Sequence, residues 1–331
     1  MQRNKIIDIA KGIGIMLVVY THTKCYAHDA IYIFIMPLFF ALSGYFFNEG
    51  RTIKENIKNK FNSLIIPYVF YFLLVQSLFI LVHKFFYQDI YFAWGMFTKP
   101  FWAVGPMWFF WGLFFTSVFF TFIAKIFKKT YLIILFSLIL SIGGYFLSLY
   151  KIHIPLYIDS ALSMTVFYAF GYMLRKFNVV EKLNTKTSII VGVLSLVIYS
   201  LGILFQIVNN TKPNEVPQNY PLFLLAAMGA IMIFLIVCRL IMRFKFLSNL
   251  LSFYGKESLI IFVFHFFTFY VYYLLFGADK ENLTYLQGFL ITIFALILSM
   301  ILGLLQKKYL PIPNLKEMYR YLKEALKSSQ K

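Results

Sequence analysis

The sequence predicts an all-α integral membrane protein, a single bundle of about ten transmembrane helices with both termini in the cytoplasm. Its composition, its long uncharged segments and the one-sided placement of its basic residues support this prediction. Of the 331 residues, 61% are apolar and only 13% are charged, whereas soluble chains carry about 25% charged residues. A water-soluble surface cannot be covered with half the usual supply of charge, so much of the surface must face lipid.

Ten segments long enough to cross a membrane follow one another along the chain, since a transmembrane helix needs roughly 20 mostly apolar residues. The first is not read as a cleaved signal, because Asp8, Lys11 and His22 interrupt it and no small-residue cleavage site follows. Ionisable residues also interrupt the sixth and ninth. The predicted spans are 8–27, 30–47, 63–82, 101–124, 130–149, 157–174, 187–208, 220–238, 258–277 and 285–305.

The basic residues divide unequally between the two sets of segments that alternate across these spans. The set with both termini holds 25 of the 31 Lys and Arg residues, and the other set holds 6. Because cytoplasmic segments carry the excess of Lys and Arg, both termini are predicted to be cytoplasmic. The net charge of +18 then records orientation in a cell membrane, and no nucleic-acid partner is expected.

The chain is predicted to form one transmembrane domain over 1–306 and a short basic cytoplasmic tail over 307–331 that lies on the membrane surface. Cys25 and Cys238 fall near opposite faces, so no structural disulfide is expected. The five histidines form no close cluster with the cysteines, so no metal site is expected either. The chemistry of the protein must therefore lie within the bundle.

Ionisable side chains at membrane depth are costly and by default indicate function. Lys11 and His22 lie on the first predicted helix, about 16 Å apart at 1.5 Å per residue, with Lys11 near the cytoplasmic surface and His22 in the outer half. The structural alternative makes Lys11 an anchor whose amine reaches the surface and His22 an interfacial residue. Asp8 either pairs with Lys11 on one face or ends the helix.

A second intramembrane histidine, His265, lies on the ninth predicted helix, about 10 Å beyond Ser258. Helices one and nine run in the same direction, so both imidazoles reach the middle of the bundle. A single buried histidine in a Phe-rich helix is more often a packed core residue. Two histidines at compatible depths favour function more than either does alone.

Five segments, together and in this order, resemble the motifs of acyltransferase family three. The resemblance extends from the first to the ninth span and is closest to the branch of fucose-O-acetylase-like and enterobacterial-antigen O-acetyltransferase-like membrane proteins. The segments are Asp8-Ile-Ala-Lys-Gly-Ile-Gly-Ile running on to His22, Met36-Pro-Leu-Phe-Phe-Ala-Leu-Ser-Gly-Tyr, Ile65-Ile-Pro-Tyr, Gly105-Pro-Met-Trp-Phe, and Gly255-Lys-Glu-Ser leading to His265.

Three positions depart from the family pattern. Lys11 stands where Arg is common, and its ammonium lacks the bidentate fork of Arg. Ile35 stands where many relatives have His just before the Met-Pro-Leu-Phe-Phe segment. The paired arginines common before the third helix are represented by Lys60, with Ser63 three residues on.

The resemblance implies a membrane acyltransferase that moves an acyl group, usually acetyl, from cytoplasmic acyl-CoA to a hydroxyl of a cell-surface or lipid-linked glycan of a bacterium. His22 is the implied base and Lys11 its basic partner on the same helix. No metal is implied. The predicted donor-binding residues are Lys11, Ser43, Gly44, Arg51, Lys58 and Lys60, and the predicted acceptor-side residues are Trp108, Asp159, Ser258 and His265.

Two other classes of function stay open at this stage. A glycan or lipid-intermediate transporter also suits a bundle with a polar interior, although no inverted repeat or pair of Gly/Pro-broken helices indicates one. A structural or sensory membrane protein would leave the buried histidines unexplained. Within the enzyme reading, direct transfer and an acyl-histidine intermediate are both compatible with the sequence, and the depth of His22 favours transfer towards the outer side.

Overall fold

The computed structural model describes residues 4–87, 105–182, 184–278 and 281–312, and these ranges are almost entirely helical. A π-helical turn over Phe61–Ile65 joins α3 to α4, and an isolated bridge pairs Asn210 with Glu215. The helices are α1 (Lys5–Thr21), α2 (His28–Tyr45), α3 (Ile53–Lys60), α4 (Ile66–Tyr87), α5 (Trp108–Ile126), α6 (Thr130–Leu149), α7 (Ile158–Lys176), α8 (Val179–Lys182), α9 (Thr185–Leu204), α10 (Tyr220–Ile241), α11 (Lys245–Lys256), α12 (Ser258–Phe276) and α13 (Tyr285–Tyr309).

The all-helical membrane class predicted from the sequence is confirmed, since eight helical segments in the described ranges are long and apolar enough to cross a membrane. These eight coincide with eight of the ten predicted spans. The other two predicted spans coincide with α1, which has only 17 residues, and with α7, which is less apolar than its neighbours. The count of ten spans and the orientation of the termini stay predictions.

Helices α1 and α7 carry ionisable residues within their predicted spans because both lie inside the bundle. Helix α7 packs against α2, α5 and α6, and α1 packs against α2, α10, α11, α12 and α13. Thirteen of the 19 residues of α7 are buried, whereas Ser195 and Gly202 are the two buried residues of the peripheral helix α9. A helix that neighbouring helices cover need not present an apolar surface to lipid, so polar residues are tolerated there.

Helices α2 and α7 approach each other so closely that their backbones touch. A Cβ atom at Gly171 would lie 1.7 Å from the carbonyl oxygen of Ala41, and one at Gly44 would lie 1.9 Å from the carbonyl oxygen of Tyr168. Small residues permit such contact between membrane helices and gain packing energy from it. The pair of glycines therefore fixes the separation of the two helices at the centre of the bundle.

The bundle has two polar ends, named here after one residue in each. The Asn4 face contains the start of α1, the end of α2 and α8, which the contacts of Asn4 with Tyr45 and Glu181 bring together. The His22 face contains the end of α1, the start of α7 and the loop between α9 and α10. Helix α13 continues past the predicted domain boundary at 306 to Tyr309, and most of the predicted tail, 313–331, lies outside the described residues.

Candidate functional site

Two histidines from different helices meet near the His22 face. His22 caps the C-terminus of α1, and its ring stacks on that of His265 from α12, with ring centroids 5.4 Å apart and planes inclined by 20°. This pairing agrees with the depths that the sequence predicts for the two imidazoles. His22 is partly buried, whereas His265 is 0% exposed.

Hydrogen bonding defines the tautomer of His265. Its Nδ1 lies 2.7 Å from the carbonyl oxygen of Phe262, and because a carbonyl oxygen can only accept, Nδ1 carries the proton. The lone pair therefore resides on Nε2, which is buried and has no hydrogen-bond partner among the described residues. A buried polar atom without a partner is rare in folded proteins and requires an explanation.

A cavity of about 250 Å³ opens beside His22. Its wall combines aromatic rings with hydroxyl, amide and ammonium groups, a combination typical of sites that bind small polar molecules. His265 does not line the cavity and lies behind His22, so His22 is the imidazole that a molecule in the cavity contacts. The lining residues are Val18, Thr21, His22, Tyr32, Ile35, Met36, Gly105, Pro106, Trp108, Asn209, Asn210, Thr211, Lys212, Phe262 and Phe266.

A smaller apolar cavity of about 90 Å³ lies next to the His22 cavity and shares Val18, Met36 and Phe262 with it. Its remaining lining includes Ile15 of α1 and the predicted acceptor-side residue Ser258, at the start of α12. Residues 11, 15, 18 and 22 follow each other at spacings of four, three and four, so they share one face of α1. This face runs from Lys11 past the apolar cavity to His22.

Cationic side chains from three segments gather at the Lys11 end of this face. The Lys11 ammonium lies 4.5 Å from the ring centroid of Phe46, and the Lys60 ammonium donates a hydrogen bond of 2.8 Å to Ser43 Oγ. Lys11 and Arg51 are both close enough to Lys60 to repel its charge. The π-helical turn begins directly after Lys60, and such turns occur frequently at functional sites.

The other predicted donor-binding residues lie apart from this cluster in different ways. Gly44 contacts the backbone of α7, so the close approach that its missing Cβ permits is that of a neighbouring helix. Lys58 is exposed on α3. The structure therefore brings together Lys11, Ser43 and Lys60, with Arg51 nearby.

The predicted acceptor-side residues do not share one cavity: Ser258 lines the apolar cavity, His265 lies behind His22, and the other two line different cavities. Trp108 lines the His22 cavity, and its ring lies 5.6 Å from that of Tyr157. Asp159 lines a separate cavity of about 340 Å³, where its carboxylate lies 3.3 Å from His153 Nδ1. Lys212 lines both cavities, so the two lie side by side at the His22 face.

Sequence reasoning missed several residues of the His22 cavity. Tyr32 and the four residues 209–212 all contribute to the wall. Their one visible signal is the polar run Asn209-Asn-Thr-Lys212 directly after the seventh predicted span. Within the described part of the chain, no group of three or more His, Cys, Asp or Glu side chains is placed to hold a metal ion.

A separate network of polar side chains lies on the Asn4 face. Tyr172 and Lys176 of α7 both bind the carboxylate of Glu49, the lysine at 3.1 Å. The hydrogen bond from Tyr172, together with Lys176, holds the pKa of Glu49 below its usual range. The polar groups of this network pair with one another through hydrogen bonds, as expected of groups that stabilise a fold.

The described helices form a polytopic bundle with a cavity beside a stacked histidine pair, the architecture of a multi-pass membrane protein. The acyltransferase domain model of acyltransferase family 3 matches residues 4–305, so the chain belongs to that family of membrane acyltransferases. None of the curated proteins and none of the solved structures matches the chain.

Proposed function

We propose that the protein is an O-acyltransferase of the cell membrane, which moves an acetyl or other short acyl group from acyl-CoA to a hydroxyl of a cell-surface or lipid-linked glycan. One observation carries this proposal. A single face of α1 connects a cationic cluster at Lys11, through an apolar cavity, to a polar cavity at His22. These three environments match the phosphates, the acyl-bearing arm and the reacting centre of such a transfer.

The donor is assigned to the Lys11 end. Coenzyme A is anionic, and the ammonium groups of Lys11 and Lys60, with Arg51 nearby, supply charge-assisted hydrogen bonds to phosphate. We assign the Asn4 face to the cytoplasm, where acyl-CoA is found, because the segments on that side hold the excess of basic residues. The apolar cavity lined by Ile15 and Val18 then accepts the uncharged acyl-bearing arm.

His22 is assigned as the general base. An unperturbed histidine titrates near neutral pH and suits proton transfer. Its imidazole removes the proton from an acceptor hydroxyl, the hydroxyl oxygen attacks the thioester carbonyl, and the carbon–sulfur bond breaks. The released thiolate takes the proton back from His22, so the protein returns to its starting state. His265 supports the His22 ring by stacking.

Membrane vesicles that contain the full chain and acetyl-CoA labelled in its acetyl group test this proposal. The label is measured in extracted glycans and lipid-linked sugars. We expect His22→Ala to reduce transfer about 10²- to 10⁴-fold, the usual contribution of a general base. His83→Ala is the matched control, because His83 binds Tyr270 away from the cavity and should leave transfer unchanged.

Full transfer by a folded His22→Ala variant would overturn the assignment. A transporter predicts a different pattern, in which the variant exports less glycan while the acetyl content of each exported chain stays the same. The two readouts, acetyl per chain and chains exported, therefore separate the two functions.

A further inference from the structure

The loop between α9 and α10 covers one side of the His22 cavity with polar groups that the function assigned above does not use. Four successive residues, Asn209 to Lys212, contribute to the cavity wall. They come from a segment distant in sequence from both histidines. The question is whether this part of the wall is incidental or built for a ligand.

The loop is held in place by hydrogen bonds rather than by apolar packing alone. Asn210 and Glu215 exchange two backbone hydrogen bonds of 3.1 and 3.0 Å, which close the loop on itself. Asn214 is 2% exposed; its Nδ2 donates to the carbonyl of Gly144 at 3.0 Å, and its Oδ1 accepts from Ser163 Oγ at 2.7 Å. The loop is thus attached to both α6 and α7.

Further contacts fix the loop on either side of Asn214. The Val216 amide donates to Ser148 Oγ at 2.9 Å, and Ser160 Oγ donates to the carbonyl of Lys212 at 3.3 Å. Asn214 itself adopts a left-handed backbone with φ of 53°, a conformation that asparagine tolerates better than most residues. Groups held in this way are preorganised, so a ligand would not have to order them.

Asn209 is the residue of this loop whose side chain is left partly unsatisfied. It is 1% exposed, and its Nδ2 donates a hydrogen bond of 2.6 Å to Thr211 Oγ1. Its Oδ1 is buried and has no hydrogen-bond partner among the described residues. In the structure the amide nitrogen of Asn209 binds Thr211 and the amide oxygen is left without a partner, so the unsatisfied group of this cavity-lining residue is an acceptor.

An acceptor in this position selects for a donor on the ligand. Hydroxyl groups donate, whereas thioester and ether oxygens do not. The reacting hydroxyl is assigned to His22, so a second hydroxyl of the same molecule is a donor that fits Asn209. Simple alcohols lack that second group, whereas sugars carry several on one ring.

We propose that Asn209 is a specificity-determining residue, whose Oδ1 accepts a hydrogen bond from a non-reacting hydroxyl of the glycan acceptor beside His22. The inference rests on the proposed function for the identity of the acceptor. Thr211 positions the amide, and the rigid loop holds both at the cavity wall. The site selects polyhydroxylated rings over molecules that carry a single hydroxyl.

Equilibrium binding to the full chain in lipid nanodiscs tests this without any acyl donor. The probes are the methyl glycosides of glucose, galactose, mannose and N-acetylglucosamine, with cyclohexanol as a ring that carries one hydroxyl. Saturation-transfer NMR measures the binding of each. We expect at least one glycoside to bind the native chain more tightly than cyclohexanol, and Asn209→Leu to weaken that glycoside about tenfold or more.

Two further variants make the result specific. Asn209→Asp keeps an acceptor oxygen at the same place and should bind the glycoside within about threefold of the native chain, which a merely structural role of the amide would not explain. Gln218→Leu changes an exposed amide of the same loop outside the cavity lining and should have no effect. Acetyl-CoA binding, measured on the same samples, reports whether Asn209→Leu is folded.

The proposal is overturned if no glycoside binds the native chain better than cyclohexanol, or if a folded Asn209→Leu binds the glycoside as tightly as the native chain does. If Asn209→Leu does not fold, Asn209→Asp is the variant that tests the proposal. Loss of glycoside binding in Asn209→Asp would also overturn the proposal. Failure of the acyltransferase function would instead appear in the His22→Ala transfer assay, with glycoside binding intact.

Discussion

The polar network on the Asn4 face and the polar wall of the His22 cavity differ in how the protein satisfies their hydrogen-bonding groups. On the Asn4 face, Glu181 accepts from Asn4 at 2.6 Å and from Tyr45 at 2.7 Å. At the cavity wall Asn209 Oδ1, and behind His22 the Nε2 atom of His265, are buried without a partner in the described part of the chain. The two regions have similar residue types, but the polar groups named in the first are paired with other protein groups and the two acceptors named in the second are not.

The difference indicates what each region is for. Pairing a buried polar group with another protein group contributes to stability, whereas leaving one unpaired costs stability. A protein that keeps unpaired acceptors beside a cavity gives up stability there for the sake of ligand contacts. Substitutions in the network of Asn4, Tyr45 and Glu181 should therefore change stability without changing activity, and substitutions at the cavity should do the opposite.

After loss of His22 itself, the largest expected effect is that of His265→Phe. The substitution keeps the ring that stacks on His22 and removes the Nε2 acceptor beside it, so we expect transfer to fall about a hundredfold, the low end of the contribution of a proton-transfer group, with little loss of stability. Transfer from labelled acetyl-CoA and the thermal unfolding midpoint measure the two quantities. Phe264→Leu, a buried aromatic change one position earlier in α12, is the control for packing loss. Equal losses of activity in both variants would contradict a role for Nε2.

Tyr45→Phe should lower stability and leave transfer unchanged, the opposite of His265→Phe, and its effect should be smaller. It removes the hydroxyl that donates to Glu181 and accepts from Asn4, so we expect a loss of about 1 kcal/mol in the free energy of unfolding. Transfer by the folded fraction should stay unchanged. Denaturant titration measures the free energy of unfolding, and the transfer assay measures the activity. A fall in transfer without a fall in stability would remove the distinction between the two regions.

The smallest expected effect is a pH dependence of stability that arises from Glu49. Because Tyr172 and Lys176 lower the pKa of its carboxyl in the folded protein, its contribution is fully present above the unfolded pKa of about 4.3 and is lost as the pH falls through the lower folded value. The group is partly exposed, so we expect a contribution below about 0.5 kcal/mol. Unfolding midpoints at successive pH values from 6 to 3 should fall less steeply in Glu49→Gln than in the native chain.

Hydropathy predicted the all-helical class and the eight spans that the structure supports, because lipid imposes length and composition on each spanning helix. The same argument is weakest for α1 and α7, since these helices contact protein on most sides and the membrane sets no composition for them. Their polar residues, Asp8 and Lys11 in α1 and Asp159 in α7, are what the sequence showed as interruptions.

The sequence predicted the parts of the candidate site that depend on how far along a helix a residue lies. It did not predict the parts that depend on where a loop returns to the bundle. His22 and His265 lie on helices predicted to run in the same direction, so helical rise predicted similar depths for the two imidazoles, although not the stacking of their rings. Asn209 and Thr211 reach the cavity through a loop whose path depends on the buried contacts of Asn214, which no periodicity encodes. The hydrogen bond between Lys60 and Ser43 likewise joins two segments 17 residues apart, which no periodicity encodes.

The backbone contact between α2 and α7 at Gly44 and Gly171 has a consequence for motion. Two helices whose carbonyl oxygens lie where side chains would otherwise stand cannot slide or rotate past one another without first separating. They should therefore move as one rigid body during a catalytic cycle. Widening of the cavity for entry and release of a ligand would then fall to the parts of its wall outside this pair.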